Sequence, residues 1–490
     1  MRLPQHVAMA GLLTLLLTGC GSTVAMSSRV SASGAAADGS GLAAPGGAAA
    51  TSGSGTATGT TPSSATASGA VGAARQQAAG TSVSGTSPVT GAGTAPATGP
   101  KKPVKIGYFV LKDTGAAFAA LGYGGLSSGN GRTQVLAAVK LANAKGGIGG
   151  RQIDPVVYEA DATGNPSDIY SQACTTFFDD NKVEALVSIS YSDLLSACAK
   201  THGVPFVSDS TASTSDASTA KNPLLVLPNH LSVEHASTVL VQGLLANGWL
   251  SAAKKPVIGL ITYGDPAYAK VEPTIRAALS RAGLSLKAVY DMPSQDPSSG
   301  ASAGKSAALK FQSEGIDHVI GIDTGFGMSW FTLSAGQQGY YPLLGMTSLS
   351  LPGAFPLLFT DRQLAGSAVV GWSPALDTIP SEQPAVSPRT TACVAAMKAA
   401  HEDMTADLAR LQSELLCDAT WFLTDTFTTG AMSSAAMTAG LDALTHGFES
   451  TVAFKADPRR NRISASAYRN ATYATSCKCY LYNGPLRAIS

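Results

Sequence analysis

The chain has 490 residues, 33 Lys and Arg against 32 Asp and Glu, 44% hydrophobic residues and seven Cys. A balance so near neutrality carries no electrostatic footprint for nucleic acid or for an anionic membrane surface. The length exceeds the ~250–300 residues at which one hydrophobic core stops growing, so more than one lobe is expected.

The first segment reads as a leader. Arg2 precedes a mostly apolar run over 7–17, and small residues then lead to Leu17-Thr18-Gly19-Cys20. That order is the shape of a secretory signal, and the run is shorter than the ~20 residues a membrane span needs. With Cys at the cleavage point, the motif resembles a bacterial lipobox. The resemblance implies loss of 1–19 and a diacylglyceryl thioether on Cys20. Two acyl chains anchor a protein stably where one does so only marginally. The expected location is therefore extracytoplasmic, with the chain lipid-anchored to the cell membrane.

Residues 21–100 are almost entirely Ala, Gly, Ser, Thr and Pro, with only Arg29, Asp38 and Arg75 charged. Such a stretch lacks the apolar surface to offset chain entropy. It reads as a flexible tether with a r.m.s. reach of roughly 50 Å, at ~5–6 Å × √n.

After Pro103 strands and helices alternate. Strands are expected at 104–110, 153–158, 185–189, 205–207 and 224–227, with helices at 134–144, 167–179 and 194–202 between them. The series restarts with strands at 256–261, 286–290, 318–322 and 343–346, and helices at 267–282 and 305–314. Short apolar strands alternating with helices imply parallel sheets covered on both faces. The expected fold is α/β, with two doubly wound parallel-sheet lobes around a ligand cleft. Ligands of such sheets bind outside the strand C-termini.

Six Cys remain after Cys20, an even number suited to an oxidising compartment. Cys174 and Cys198 lie in successive helical segments around one strand, and Cys393 and Cys417 in the two arms of a helical hairpin. These two pairs are expected to close. Cys477 and Cys479 flank Lys478. Alternate strand positions share a face but sit near the upper Cα limit for a disulfide, so this pair is left open between a bridge, free thiols and other partners. With no His or further Cys close by, the Cys-x-Cys is not read as a metal site.

The segments Val104-Lys-Ile-Gly-Tyr-Phe-Val110, Thr114-Gly115 and Asn143-Ala-Lys-Gly-Gly-Ile-Gly-Gly-Arg-Gln-Ile153 carry a resemblance. It continues through Tyr158-Glu-Ala-Asp161, Asn165-Pro166, 183–190 and His202-Gly-Val-Pro-Phe-Val-Ser208. Together they resemble the branched-chain amino-acid-binding proteins (Leu/Ile/Val-binding-like) of ABC transporters. The likeness is clear over 104–215, fair over 222–350 and faint beyond. It implies a type I periplasmic-binding fold with crossovers near Pro228, 366–372 and 449–454. The first lobe would be 101–228 plus 370–448, and the second 229–369 plus 449–490.

The same resemblance implies ligand contacts at matching positions. Ser190, Tyr191 and Ser192 would offer hydroxyls and backbone N–H groups, as would Ser210, Thr211 and Ser213 in the loop 208–213. Tyr268 matches an aromatic lid, Phe326 an aromatic wall, and Thr347 the loop that in the family carries an acid for the ligand ammonium. Here that loop reads Gly345-Met-Thr-Ser-Leu-Ser350, without a charge. Asp323 or Asp209 could substitute by position. The ligand is therefore left open among amino acids, polyols, nucleosides, amides and peptide-like molecules.

Enzyme signatures fail on context. Gly125-Leu-Ser127-Ser-Gly129 follows a glycine-rich loop, not the strand a nucleophile elbow requires. Gly300-Ala-Ser-Ala-Gly304-Lys305-Ser306 is one residue short of a phosphate-binding loop. The seven His are scattered. The chain is thus expected to be a monomeric, non-enzymatic binder of a small polar solute, without cofactor or metal. Its expected partner is an ABC permease. A sensing lipoprotein reporting to a membrane receptor or kinase is the alternative, and a serine hydrolase using Ser127 a weaker one.

Overall fold

The computed structural model describes residues 101–489 apart from 113, 121–125, 163, 209–213, 294–296, 325, 385–386 and 460–461. The leader, Cys20 and the tether lie outside the described residues.

The first sheet comprises β1 (Val104–Lys112), β2 (Ile153–Asp161), β3 (Ala185–Ser188), β4 (Phe206–Ser208) and β5 (Leu225–Val226). All are parallel, in the order β2-β1-β3-β4-β5. Side chains alternate across a strand, so β1 feeds two cores. Ile106, Tyr108 and Val110 pack with the helices Gly131–Ala144, Pro388–Ala399 and Asp407–Thr426. Phe109 faces the other way, with Phe177, Leu186, Leu195 and Phe206. Polar caps fix where the helices begin. Asn130 accepts from Thr133 N at 2.9 Å, and Asn165 precedes Pro166 at the start of Pro166–Cys174.

The second sheet holds β6 (Ile258–Tyr263), β7 (Leu286–Met292), β8 (His318–Gly321), β9 (Leu343–Thr347) and β10 (Ala368–Gly371). It is completed by β11 (Ala467–Ala474), β12 (Cys479–Tyr482) and β13 (Arg487–Ala488). Its order is β12-β11-β10-β9-β8-β6-β7, with β13 on β11. β6 to β10 pair in parallel, whereas β11, β12 and β13 pair antiparallel. The parallel expectation holds for the wound part, and the C-terminal hairpin adds an antiparallel edge, a common addition to such sheets.

The near-phosphate-loop segment is helical. Gly300 and Gly304 lie inside the helix Pro297–Ser313, against the helix Phe326–Gln337. A Cβ at Gly300 would come within 2.3 Å of the Trp330 ring. These glycines permit close helix packing and leave no phosphate cradle.

Cys174–Cys198 and Cys393–Cys417 close as expected. Cys477–Cys479 also closes, with a Cα separation of 5.2 Å. Cys477 sits in the turn 475–478, not on a strand, and Lys478 adopts φ 52°, which draws the two Cα atoms together. Cys174, Cys198 and His202 bring ligand atoms within 4.8 Å of one another, but both sulfurs are engaged in the disulfide.

Segments that follow β5 and β10 pair locally with the segment that precedes β11. Leu227 bridges Ile463 in parallel, with Leu227 N donating to Arg462 O at 2.7 Å. Phe454 N donates to Trp372 O at 3.0 Å, and Ser373 Oγ to Val452 O at 2.9 Å. Among the described residues, no helix is long and apolar enough to cross a membrane.

Candidate functional site

Loops leave the C-terminal ends of the parallel strands, where a doubly wound sheet presents its ligand. In the first lobe β3 runs into Ser190, Tyr191 and Ser192. Ser192 caps the helix Asp193–Thr201, its Oγ accepting from Leu194 N at 3.2 Å. Tyr191 donates to Asp193 Oδ1 at 2.6 Å and stacks on Phe206. Burial, then Asp193, push its phenol well above the usual range. Ser190 lies against the Tyr170 phenol, which burial also raises. Ser210, Thr211 and Ser213, with Asp209, fall outside the described residues.

In the second lobe Phe326 is half-buried and stacks on Trp330 at 5.8 Å between ring centres. Tyr268 is only 2% exposed and packs edge-on to Tyr263 within the second-lobe core. Thr347 is fully buried, its Oγ accepting from Leu349 N at 3.2 Å. A ligand contact at Tyr268 or Thr347 requires this packing to open. Asp323 is buried and accepts from Met328 N at 2.8 Å and Ser350 Oγ at 2.7 Å. It caps the helix Phe326–Gln337 and ties the loops after β8 and β9 together. In this arrangement its carboxylate serves the fold.

A cavity of about 220 Å³ lies where those loops meet the first lobe. Its lining includes Leu126, Ser127, Leu351, Leu357, Leu376, Thr378, Leu408, Arg410 and Leu411. It adjoins a small apolar cluster of Leu376, Leu411, Leu415 and Val452. Sequence reasoning passed over these residues. Leu408, Leu411 and Leu415 do show helical spacing, but that pattern reads equally well as ordinary core. Arg410 Nε donates to Glu414 Oε1 at 2.8 Å. Burial raises the Glu414 carboxyl, and the Arg410 hydrogen bond and charge oppose the rise. A larger cavity, about 780 Å³, opens near Arg389, His446, Phe454 and Lys455.

Ser127 Oγ accepts from Gly129 N at 3.2 Å. Among the described residues no His shares a hydrogen bond with it, and the segment 126–130 joining it to the helix Gly131–Ala144 is irregular. It has neither the base nor the strand-to-helix elbow of a serine nucleophile.

A family model described as periplasmic binding protein matches residues 103–471. The chain belongs to the periplasmic binding protein family. This agrees with the resemblance carried by its first 110 or so folded residues, over 104–215. The family is one of binders, as the failed enzyme signatures suggested. Among solved structures, this periplasmic binding protein is similar to a solute-binding protein of an ABC transporter from Rhodopseudomonas palustris HaA2, in complex with p-hydroxybenzoic acid. That match has 13% identity and a TM-score of 0.57, covering 79% of this chain and 98% of the other. An ABC transporter substrate-binding protein from Desulfitobacterium hafniense, in complex with Leu, matches at 16% identity and TM-score 0.52, over 78% and 100% of the two chains. A possible leucine/isoleucine/valine-binding protein from Rhodopirellula baltica SH 1 matches at 16% and 0.55, over 80% and 97%. At these identities the likeness is one of fold. No curated protein matches the chain.

Proposed function

We propose that this periplasmic binding protein is an extracytoplasmic solute-binding lipoprotein that captures a small solute for an ABC importer. The observation that carries the reading is the set of adjacent crossings, Leu227 beside Ile463 and Trp372 beside Phe454, joining two wound sheets in a chain of a binding family. Flexible connections between the two sheets would permit hinge closure without breaking either one. The lobes would be 101–228 plus 370–448 and 229–369 plus 449–490. A solute touching both favours the closed form by its differential affinity for the two states. The closed form then docks on a permease and releases the solute.

Ser190, Tyr191 and Ser192, the loop 208–213 and Phe326 are the proposed rim contacts. The lipid on Cys20 would hold the protein at the membrane, and the tether would let the lobes reach the permease. Solved neighbours whose names include p-hydroxybenzoic acid and Leu as ligands support a solute of that size.

Small-angle scattering tests the closure. Adding a low-molecular-weight fraction of culture medium should reduce the radius of gyration, and dialysis should restore it. An unchanged radius with every fraction counts against the reading. Detergent partitioning tests the anchor. Wild type should enter the detergent phase and Cys20→Ala should not, and equal partitioning after leader cleavage would remove the lipid from the account.

A further inference from the structure

We propose that Cys174, Cys198 and His202, once their disulfide is reduced, form a site for one thiophilic metal ion, Zn²⁺. The proposal is independent of the solute-binding reading. The two sulfurs and a ring nitrogen of the histidine lie within 4.8 Å of one another. Among the described residues this is the one cluster of three such ligands. In the structure the sulfurs are bonded to each other, so the oxidised protein is closed to the ion.

Local structure brings the three together. Cys198 and His202 are four residues apart at the end of the helix Asp193–Thr201, so they share one face. That end carries the negative pole of the helix dipole, which favours a cation. The His202 ring lies flat on Phe178, with 4.5 Å between ring centres and 7° between planes. Phe178 belongs to the π-helical turn Thr175–Asp180, which begins directly after Cys174. Such widened turns are frequent at functional sites. Tetrahedral zinc, with Zn–S bonds of ~2.3 Å and a Zn–N bond of ~2.0 Å, sets its donors roughly 3.5–3.8 Å apart. With Cα atoms 6.2 Å apart, the two cysteines reach that spacing by side-chain rotation. Both are half-buried and His202 is exposed, so a reductant and an ion have access.

The chemistry balances with an external dithiol. One of its thiolates attacks a sulfur of the bridge, the S–S bond breaks, and the second thiolate resolves the mixed disulfide. The dithiol leaves as its own disulfide, and Cys174 and Cys198 become thiols. On binding Zn²⁺ the two thiols lose their protons, and the two thiolates cancel the charge of the ion. The imidazole adds a third bond and water a fourth. The S–Zn–S link then closes the same 24-residue loop as the disulfide. Oxidation by a disulfide runs the steps backwards and expels the ion. The other bridges are unsuited. Cys393 and Cys417 are buried, at 0% and 1% exposure, and among the described residues Cys477 and Cys479 have no third ligand.

Zinc titration against a chromophoric chelator provides the test. The protein carries Cys477→Ser/Cys479→Ser, is reduced with dithiothreitol, and is desalted without air. Alkylation mapping should find Cys174 and Cys198 open and Cys393–Cys417 intact. The reduced protein should take up one Zn²⁺ per chain more than the same protein with Cys174→Ser/Cys198→Ser, and the oxidised protein none. His202→Ala, at an exposed position, should fold normally and weaken zinc by at least about tenfold, the least that follows from disturbing a ligand. Zinc should also raise the melting temperature of the reduced protein, by linkage, and Mg²⁺ should not. Uptake that survives Cys174→Ser/Cys198→Ser, affinity unchanged in His202→Ala, or Mg²⁺ bound as tightly as Zn²⁺ overturns the proposal. So does a Cys174–Cys198 bridge that dithiothreitol leaves closed, or a reduced protein that unfolds and is not restored by zinc.

Discussion

Asn229 donates its Nδ2 to Asp418 Oδ2 at 3.2 Å, joining the segment after β5 to the helix Asp407–Thr426. The same carboxylate accepts from Ser450 Oγ and Thr451 N, in the segment between Phe448 and Ala456. One buried acid therefore ties the segment after β5 to the segment 448–456. Hydrogen bonds to charged groups contribute ~1.5–3 kcal/mol each, and their loss strands buried partners. Asp418→Ala should lower unfolding stability by about 3–5 kcal/mol, and Asp418→Asn, which keeps an accepting oxygen, by less. Denaturant titration measures both. Wild-type stability in Asp418→Ala would mean that these segments are held otherwise.

Asp377 carries the clearest pH signal. It is fully buried after β10 and accepts from Tyr482 Oη at 2.9 Å. Burial pushes its carboxyl up to about 7, against hydrogen bonds from Ser348 and Tyr482. A carboxyl raised in the folded state holds its proton there after the unfolded chain has lost it. Its contribution is therefore fully present below about pH 4 and is lost as pH rises through 7. Relative to Asp377→Asn, wild type should lose up to about 4 kcal/mol between pH 4 and pH 8. Parallel stability–pH curves for the two proteins would contradict this.

Gly304 sets the approach of two helices. A Cβ there would lie 2.5 Å from Trp330 O, a backbone atom that cannot swing away. Overpacking of this kind costs ~1–3 kcal/mol. Gly304→Ala should lower the melting temperature despite its better helix propensity, and calorimetry would show it. A rise in melting temperature would mean that the helices separate freely.

The three disulfides differ in loop length. Cys174–Cys198 and Cys393–Cys417 each span 24 residues, and Cys477–Cys479 spans two. In the chain-entropy model a 24-residue loop contributes roughly 3 kcal/mol, and the short loop about half that. Replacing both Cys393 and Cys417 by Ala should therefore cost about twice as much as replacing Cys477 and Cys479. Non-reducing peptide mapping checks the pairing first, since a crossed pair would void the comparison.

The wound core was legible because its signals are local. The β-branched and aromatic run at 104–110 is buried on both faces, so it reads as a continuous apolar strand. The helix Phe326–Gln337 was missed for the opposite reason. Eight of its twelve residues are buried, so no polar face marks a 3.6-residue period. The site was legible only as loops. Sequence placed hydroxyls at Ser192 and a spare acid at Asp323, but the structure engages both as helix caps. The cavity draws on segments near 126, 357 and 410, which are adjacent only after the lobes assemble. No spacing along the chain could announce it.

Native mass spectrometry of protein purified without refolding tests the central claim most directly. The account predicts a one-to-one complex with a small molecule, lost on gentle collisional activation and released with its mass unchanged. A protein that stays bare after exposure to culture medium, or that releases a chemically altered molecule, would contradict it.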